Sequence, residues 1–250
     1  MFTKETLRFL RALERHNDRE WFRARRDQYE AHVRGPMIAL IERIAGDLPA
    51  FAPELVASPR VSLYRIYRDT RFSSDKRLLK THMAAIFPCR GMQRHQGAGL
   101  YFEVSPQQCL VAGGIYAPQP ADLRAVRSHI AANFRRFQAI VESRGFRRAF
   151  GGLEGDRLQR VPLGFPKDHP AAPYLKHRQF LVWREYEAEF ATTPRFYREL
   201  IKRFAQMAPL VRFLNEPLVA QAPPLDLEGG FRFSRRERDL EPGPVNRDAG

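Results

Sequence analysis

Cysteine is scarce. The chain has two in 250 residues, Cys89 and Cys109, too few for a disulfide scaffold and without the spacing of a metal site. Long apolar runs are missing as well. No stretch approaches the roughly 20 residues that cross a bilayer, and Met1-Phe2-Thr3-Lys4-Glu5 opens into an amphipathic pattern without a signal-peptide apolar core. A reduced, cytoplasmic setting with no membrane partner is the expectation. Several chemical signatures are also absent: the Gly-x-x-x-x-Gly-Lys-Ser/Thr phosphate loop, the Gly-x-Ser-x-Gly elbow, His-Glu-x-x-His and Cys-x-x-Cys. The seven histidines show no ligand spacing, so no metal site is indicated and no cofactor can be named.

Core-forming residues are plentiful. Hydrophobic residues make up 44% of the chain and 19 are Phe, enough for one large core. The formal net charge is +14. Clustered Lys and Arg attract phosphate-rich partners, so an anionic ligand or a nucleic acid is a candidate partner beside a plain solvated surface. The charge does not come from the C-terminus, because residues 218–250 carry five Arg against six acidic residues.

The periodicity changes along the chain. Leu7, Leu10 and Leu13 follow Thr3 at helical spacing. Asn17 or Asp18 can cap a second helix bearing Trp21, Phe22 and Tyr29, with Trp21 and Phe22 read as core anchors. Gly35-Pro36 starts a third helix with Met37, Leu40, Ile41, Ile44 and Leu48 in a stripe. Between Val61 and Phe72 the residues favour strand, and Thr81–Phe87 can pair with them. Gly99–Val104 and Cys109–Ala112 flank Ser105–Gln108 as a hairpin. Helical spacing returns after Pro120 and after Thr193, which is placed as a cap, and His169 sits in a turn that starts a helix. The expected architecture is α+β: N-terminal helices, a central, mainly antiparallel sheet, and C-terminal helices. Residues 1–217 read as one domain. Residues 218–250 are rich in Pro, Gly and charge and read as a plain disordered tail ahead of the alternative that Phe231 and Phe233, set between arginines, dock on a partner.

The densest polar segment runs from Arg65 to His82. On a strand, Arg65, Tyr67, Asp69 and Arg71 share one face, and Ile66, Arg68, Thr70 and Phe72 share the other. A face of Arg, Tyr, Asp and Arg must either pair its charges internally or line a cleft. Guanidinium groups in a cleft suit bidentate binding of phosphate or carboxylate, which makes Arg65, Arg68, Arg71, Lys76 and Lys80 candidate ligand-binding residues. Arg68 is expected to act structurally, with Arg65 and Arg71 facing the cleft. Asp69 and Asp75 could instead hold a divalent cation beside Lys76 or Lys80. His82 is the better placed histidine for acid–base work. Candidate catalytic residues are therefore Asp69, Asp75 and His82.

This segment resembles the family catalogued as domain of unknown function 2461, marked by Arg-x-x-Arg-Asp-x-Arg-Phe-x-x-x-Lys. Arg65, Arg68, Asp69, Arg71, Phe72 and Lys76 match it. The likeness extends over roughly residues 2–216, through Asn17-Asp-Arg-Glu-Trp-Phe22, Ala112-Gly-Gly114, Pro162-Leu-Gly-Phe165 and Asp168-His-Pro170. Relatives commonly continue Lys-x-Pro-Tyr-x-x-Asn. Here Leu78 and Leu79 replace Pro-Tyr and His82 replaces Asn. The resemblance implies a site common to the family and brings no activity with it. Three function classes stay open: a protein binding an anion through an Arg-rich face, a metal-assisted enzyme acting on a phosphate-bearing substrate, and an interaction protein in which the signature braces the fold.

Overall fold

The computed structural model describes residues 1–68 and 77–219. Asp69, Arg71, Asp75 and Lys76 of the signature, and residues 220–250 of the expected tail, lie outside them. No described helix is long and apolar enough to cross a membrane.

The centre is a four-stranded antiparallel sheet in the order β1 (Met83–Phe87), β2 (Gly99–Val104), β3 (Gln108–Ile115), β4 (Phe180–Glu187). Helices precede and follow it, so the fold is α+β as expected. The β2–β3 hairpin turns through Ser105, whose N–H donates to the Gln108 carbonyl at 2.9 Å. Burial alternates strictly along β3, which gives the sheet one dry face and one open face. Phe87, Phe102, Val111, Ile115, Phe180 and Val182 form the dry face.

The helix Phe196–Val219 packs on that dry face. Phe204 meets Phe87 at 5.5 Å and Phe196 meets Phe102 at 6.3 Å between ring centroids. Gly113 admits the helix: a Cβ there would stand 3.0 Å from Met207 Sδ. The helix runs through Pro217 to Val219, two residues into the segment read as tail. Thr193 lies three residues before it, and its hydroxyl donates back to the Phe190 carbonyl at 2.8 Å.

The N-terminal helices flank the sheet. Helix Lys4–Arg15 buries Leu7, Phe9, Leu10 and Leu13. Asp18 caps the next turn by accepting from Trp21 N–H at 2.7 Å. Phe22 is buried and Trp21 half-buried against the core, in the anchor role expected for them. From Tyr29 the chain stays helical through a π-type turn, Glu30–Arg34, directly into the helix Gly35–Asp47. A Cβ on Gly35 would meet the Glu30 carbonyl oxygen at 2.8 Å, so glycine permits the join.

Two parts of the sheet region differ from the expectation. Val61 and Ser62 belong to a helical turn, Pro59–Ser62, capped by Ser58, and extended pairing starts only at Leu63, which bridges Ala85. β4 was not expected at all: beyond Phe180 and Val182 it carries Arg184, Glu185 and Glu187, which read as surface.

Candidate functional site

The open face of the sheet forms the floor of a cavity of about 760 Å³. The register places its floor in cross-strand rows. Ile86, Tyr101, Ala112 and Trp183 form one row, Ala84, Glu103, Leu110 and Glu185 the next, and Gly99, Gly114 and Leu181 a third. Small side chains in three strands make the floor concave. Gly114 has φ +123° and a Cβ there would stand 1.9 Å from the Phe180 carbonyl oxygen, so only glycine fits.

One wall comes from the Arg65–His82 segment. Tyr64 N–H donates to the Ala84 carbonyl at 3.1 Å, Arg68 N–H to the Leu78 carbonyl at 2.9 Å, and Lys80 N–H to the Ile66 carbonyl at 2.7 Å. Residues 63–68 and 78–85 thus run antiparallel along the β1 edge, and Tyr67 bridges Leu79. Asn17 fixes this wall from outside. Its amide donates to the Leu79 carbonyl and its Oδ1 accepts from Leu79 N–H, each at 2.9 Å. The Asn17 motif and the signature, 62 residues apart in sequence, therefore meet through one side chain.

Lys80 and His82 line the cavity. The Lys80 ammonium stands 4.9 Å from the Tyr64 ring centroid, and the Arg94 guanidinium 5.0 Å from the same ring. Arg94 is held there by the Val61 and Leu63 carbonyls, at 2.8 Å from Nε and 3.1 Å from an Nη. Burial, and then Arg68 and Arg94, hold the Lys80 pKa below its ordinary value. His82 is also held below its ordinary value, by burial first, with Lys80 and Arg68 adding to the effect and Glu103 opposing it. Both shifts are set first by burial; neighbouring cations add to the shift at Lys80, and at His82 the Glu103 carboxylate opposes them.

Glu103 organises the opposite side. Its Oε2 accepts from the Tyr101 hydroxyl at 2.5 Å and lies 4.0 Å from His82 Nε2. Burial, and then the Glu103 charge, push the Tyr101 phenol well above its ordinary range, so Tyr101 stays a proton donor to that carboxylate. Tyr64 packs edge-on against Tyr101 at 6.2 Å and stacks on His95 at 5.8 Å. Cys109 lies beneath, on the dry face. Its thiol is pushed up to about 12 by burial and then by Glu103, and the Cys89 thiol is also raised, so neither is a nucleophile at neutral pH.

Of the residues expected from sequence, the structure brings Lys80 and His82 into the cavity. Arg68 stands close enough to both for its charge to act on them. Arg65 is exposed. Asp69, Arg71, Asp75 and Lys76 lie outside the described residues. His169 accepts from Ala171 N–H at 3.0 Å, in the turn before the helix Ala172–Leu175. Among the described residues no group of three or more His, Cys, Asp or Glu is placed to hold a metal. Tyr64, Arg94, Tyr101, Glu103 and Trp183 were not anticipated. The signal for two of them was present: Tyr101 and Glu103 alternate with Leu100, Phe102 and Val104, which puts them on the wet face of an amphipathic strand.

A helix-backed antiparallel sheet thus carries on its free face a walled cavity lined by aromatic, small and charged side chains. Residues 5–213 match the family of conserved hypothetical proteins catalogued as domain of unknown function 2461, and the chain belongs to that family. No curated protein matches the chain.

Proposed function

We propose that the protein binds a small organic anion, a carboxylate or phosphate, in the sheet cavity, with Lys80 as its principal charge anchor. The supporting observation is the position of Lys80: a half-buried ammonium at the cavity wall, beside Arg68 and Arg94, with no carboxylate ion pair among the described residues. Such a charge is costly without a partner, and an incoming anion would supply one. The cavity volume lies within the roughly 300–1,000 Å³ of small-ligand sites. His95, Gly97, Tyr116 and Ala117 line the cavity beside the wall of Tyr64, Lys80 and His82, and such a recess favours a small ligand over a nucleic-acid strand, which needs an open basic track.

A second reading is acid–base catalysis on that ligand. It is favoured by the proximity of His82, whose Nε2 lies 4.0 Å from the Glu103 oxygen that accepts from the Tyr101 hydroxyl, since an imidazole beside a held carboxylate is suited to proton transfer. The metal-assisted and brace readings both depend on Asp69, which lies outside the described residues.

Thermal-shift screening of the full chain against aromatic and aliphatic carboxylates and phosphate monoesters tests the proposal. At least one class should raise the melting midpoint in a saturable way, and Lys80→Met should abolish that rise. A rise that is unaltered by Lys80→Met would refute the assignment of Lys80.

A further inference from the structure

The row Tyr101–Ala112–Trp183 has a geometry that the anion reading does not use. Tyr101 lies on β2, Ala112 on β3 and Trp183 on β4, in direct register. Adjacent strands lie about 4.8 Å apart, so the backbones beneath the two rings are separated by about 9.6 Å. Half of that falls inside the roughly 4.5–7 Å centroid spacing of favourable aromatic pairs. The gap is therefore one ring wide, and only the Ala112 methyl rises between its walls.

The two walls are in different states. Tyr101 is fixed: its hydroxyl donates to Glu103 at 2.5 Å and Tyr64 packs edge-on against it at 6.2 Å. Trp183 lines the same cavity, half-buried, and has no ring partner among the described residues, although nineteen ring contacts are made elsewhere. A tryptophan left without a ring neighbour, facing a fixed tyrosine across an alanine, is a slot without its filling. Lys80 lines the same cavity, and its ammonium stands 4.9 Å from the ring of Tyr64, the residue that packs on Tyr101.

We infer that the ligand class is a planar aromatic acid whose ring system inserts between Tyr101 and Trp183 over Ala112, while its carboxylate or phosphate reaches towards Lys80. This rests on the anion reading above and adds the ring to it. An aliphatic acid of the same size would gain the charge contact but lose both stacking faces.

The test uses the full chain carrying Trp21→Phe, so that Trp183 is its single tryptophan. Three probes are titrated: 2-naphthylacetate, its decahydro counterpart and 2-naphthylacetamide. Naphthylacetate should quench Trp183 emission and bind about tenfold or more tightly than the decahydro acid. Filling the slot with Ala112→Phe should remove that preference. Trp183→Leu, followed by calorimetry, should do the same where the first variant fails to fold. Lys80→Met should weaken both acids alike, and the uncharged amide should bind the parent no better than the acid binds Lys80→Met. Equal binding of the two acids, with Lys80 dependence intact, would overturn the slot and leave the anion site standing. Ring preference that survives with no Lys80 dependence would overturn the anion site and leave the slot. No saturable binding of either acid below about 5 mM would overturn both.

Discussion

Lys80 and His177 show how burial sets the behaviour of single residues. The Lys80 pKa is held below 10.5 in the folded chain, so the unfolded chain binds that proton more tightly. The resulting penalty is fully present at neutral pH and is relieved only as pH rises through the folded pKa towards 10.5. Lys80→Met should therefore leave the melting midpoint unchanged or raise it at pH 7, while cutting affinity for small organic anions at least about tenfold. A large loss of stability with binding intact would reverse the roles assigned to this residue. His177 is 2% exposed and its pKa is lowered to about 4, by burial first and then by the Arg157 charge. Its neutral form belongs to the fold. Stability is complete above pH 6.5 and falls as pH drops towards 4, by about 3 kcal/mol if the whole shift is expressed. His177→Leu should flatten the dependence of the melting midpoint on pH in that window. The parallel contact from Arg127 goes to the His177 backbone carbonyl at 2.8 Å, so the substitution keeps it. Identical pH profiles for the two proteins would contradict this assignment.

At the scale of elements, the wall of the cavity depends on a side chain outside it. Asn17 holds both backbone groups of Leu79, one residue before Lys80. Asn17→Ala should cost about 1–3 kcal/mol, because two backbone groups lose their partners, and should speed amide exchange in residues 77–82. It should also weaken anion binding although Asn17 does not line the cavity. Protection in 77–82 equal to the parent would show that the wall holds without the clip. Sequence periodicity sufficed for the apolar stripes of the long helices Lys4–Arg15, Gly35–Asp47 and Phe196–Val219 and for the β2–β3 hairpin, whose apolar alternation and four-residue turn are local properties. It passed over β4, where Phe180 and Val182 are the fully buried residues and Arg184, Glu185 and Glu187 are exposed. Lys80 and His82 were legible as site residues because the polar segment is contiguous. Trp183 was not, because its place beside Tyr101 depends on the register of β2, β3 and β4, whereas Tyr101 and Glu103 carried a local signal in their alternation with Leu100, Phe102 and Val104. Gly97-Ala98-Gly99 matches no motif, yet Asn215 of the C-terminal helix holds Ala98 by N–H at 2.8 Å and by carbonyl at 2.9 Å, and a Cβ on Gly97 would stand 2.6 Å from the Asn215 amide oxygen. Only the packed structure brings those groups together.

At the scale of the whole molecule, the dry face of the sheet and its helices make the fold, which leaves the open face for chemistry. The formal net charge of the chain is +14, and any attraction of an anion by that excess would weaken with salt. The central claim is that the anion enters this cavity rather than resting on the basic surface, and His82 reports on it directly. Nitrogen-15 imidazole NMR of the full chain, with His82→Gln for assignment, measures each histidine pKa with and without saturating 2-naphthylacetate. The free protein should show His82 below its ordinary 6.5. A bound anion beside Lys80 should raise it, because a nearby negative charge favours the imidazolium, while His177, buried away from the cavity, should stay near 4. A His82 pKa that does not move while the ligand is demonstrably bound would place the anion elsewhere and contradict the account.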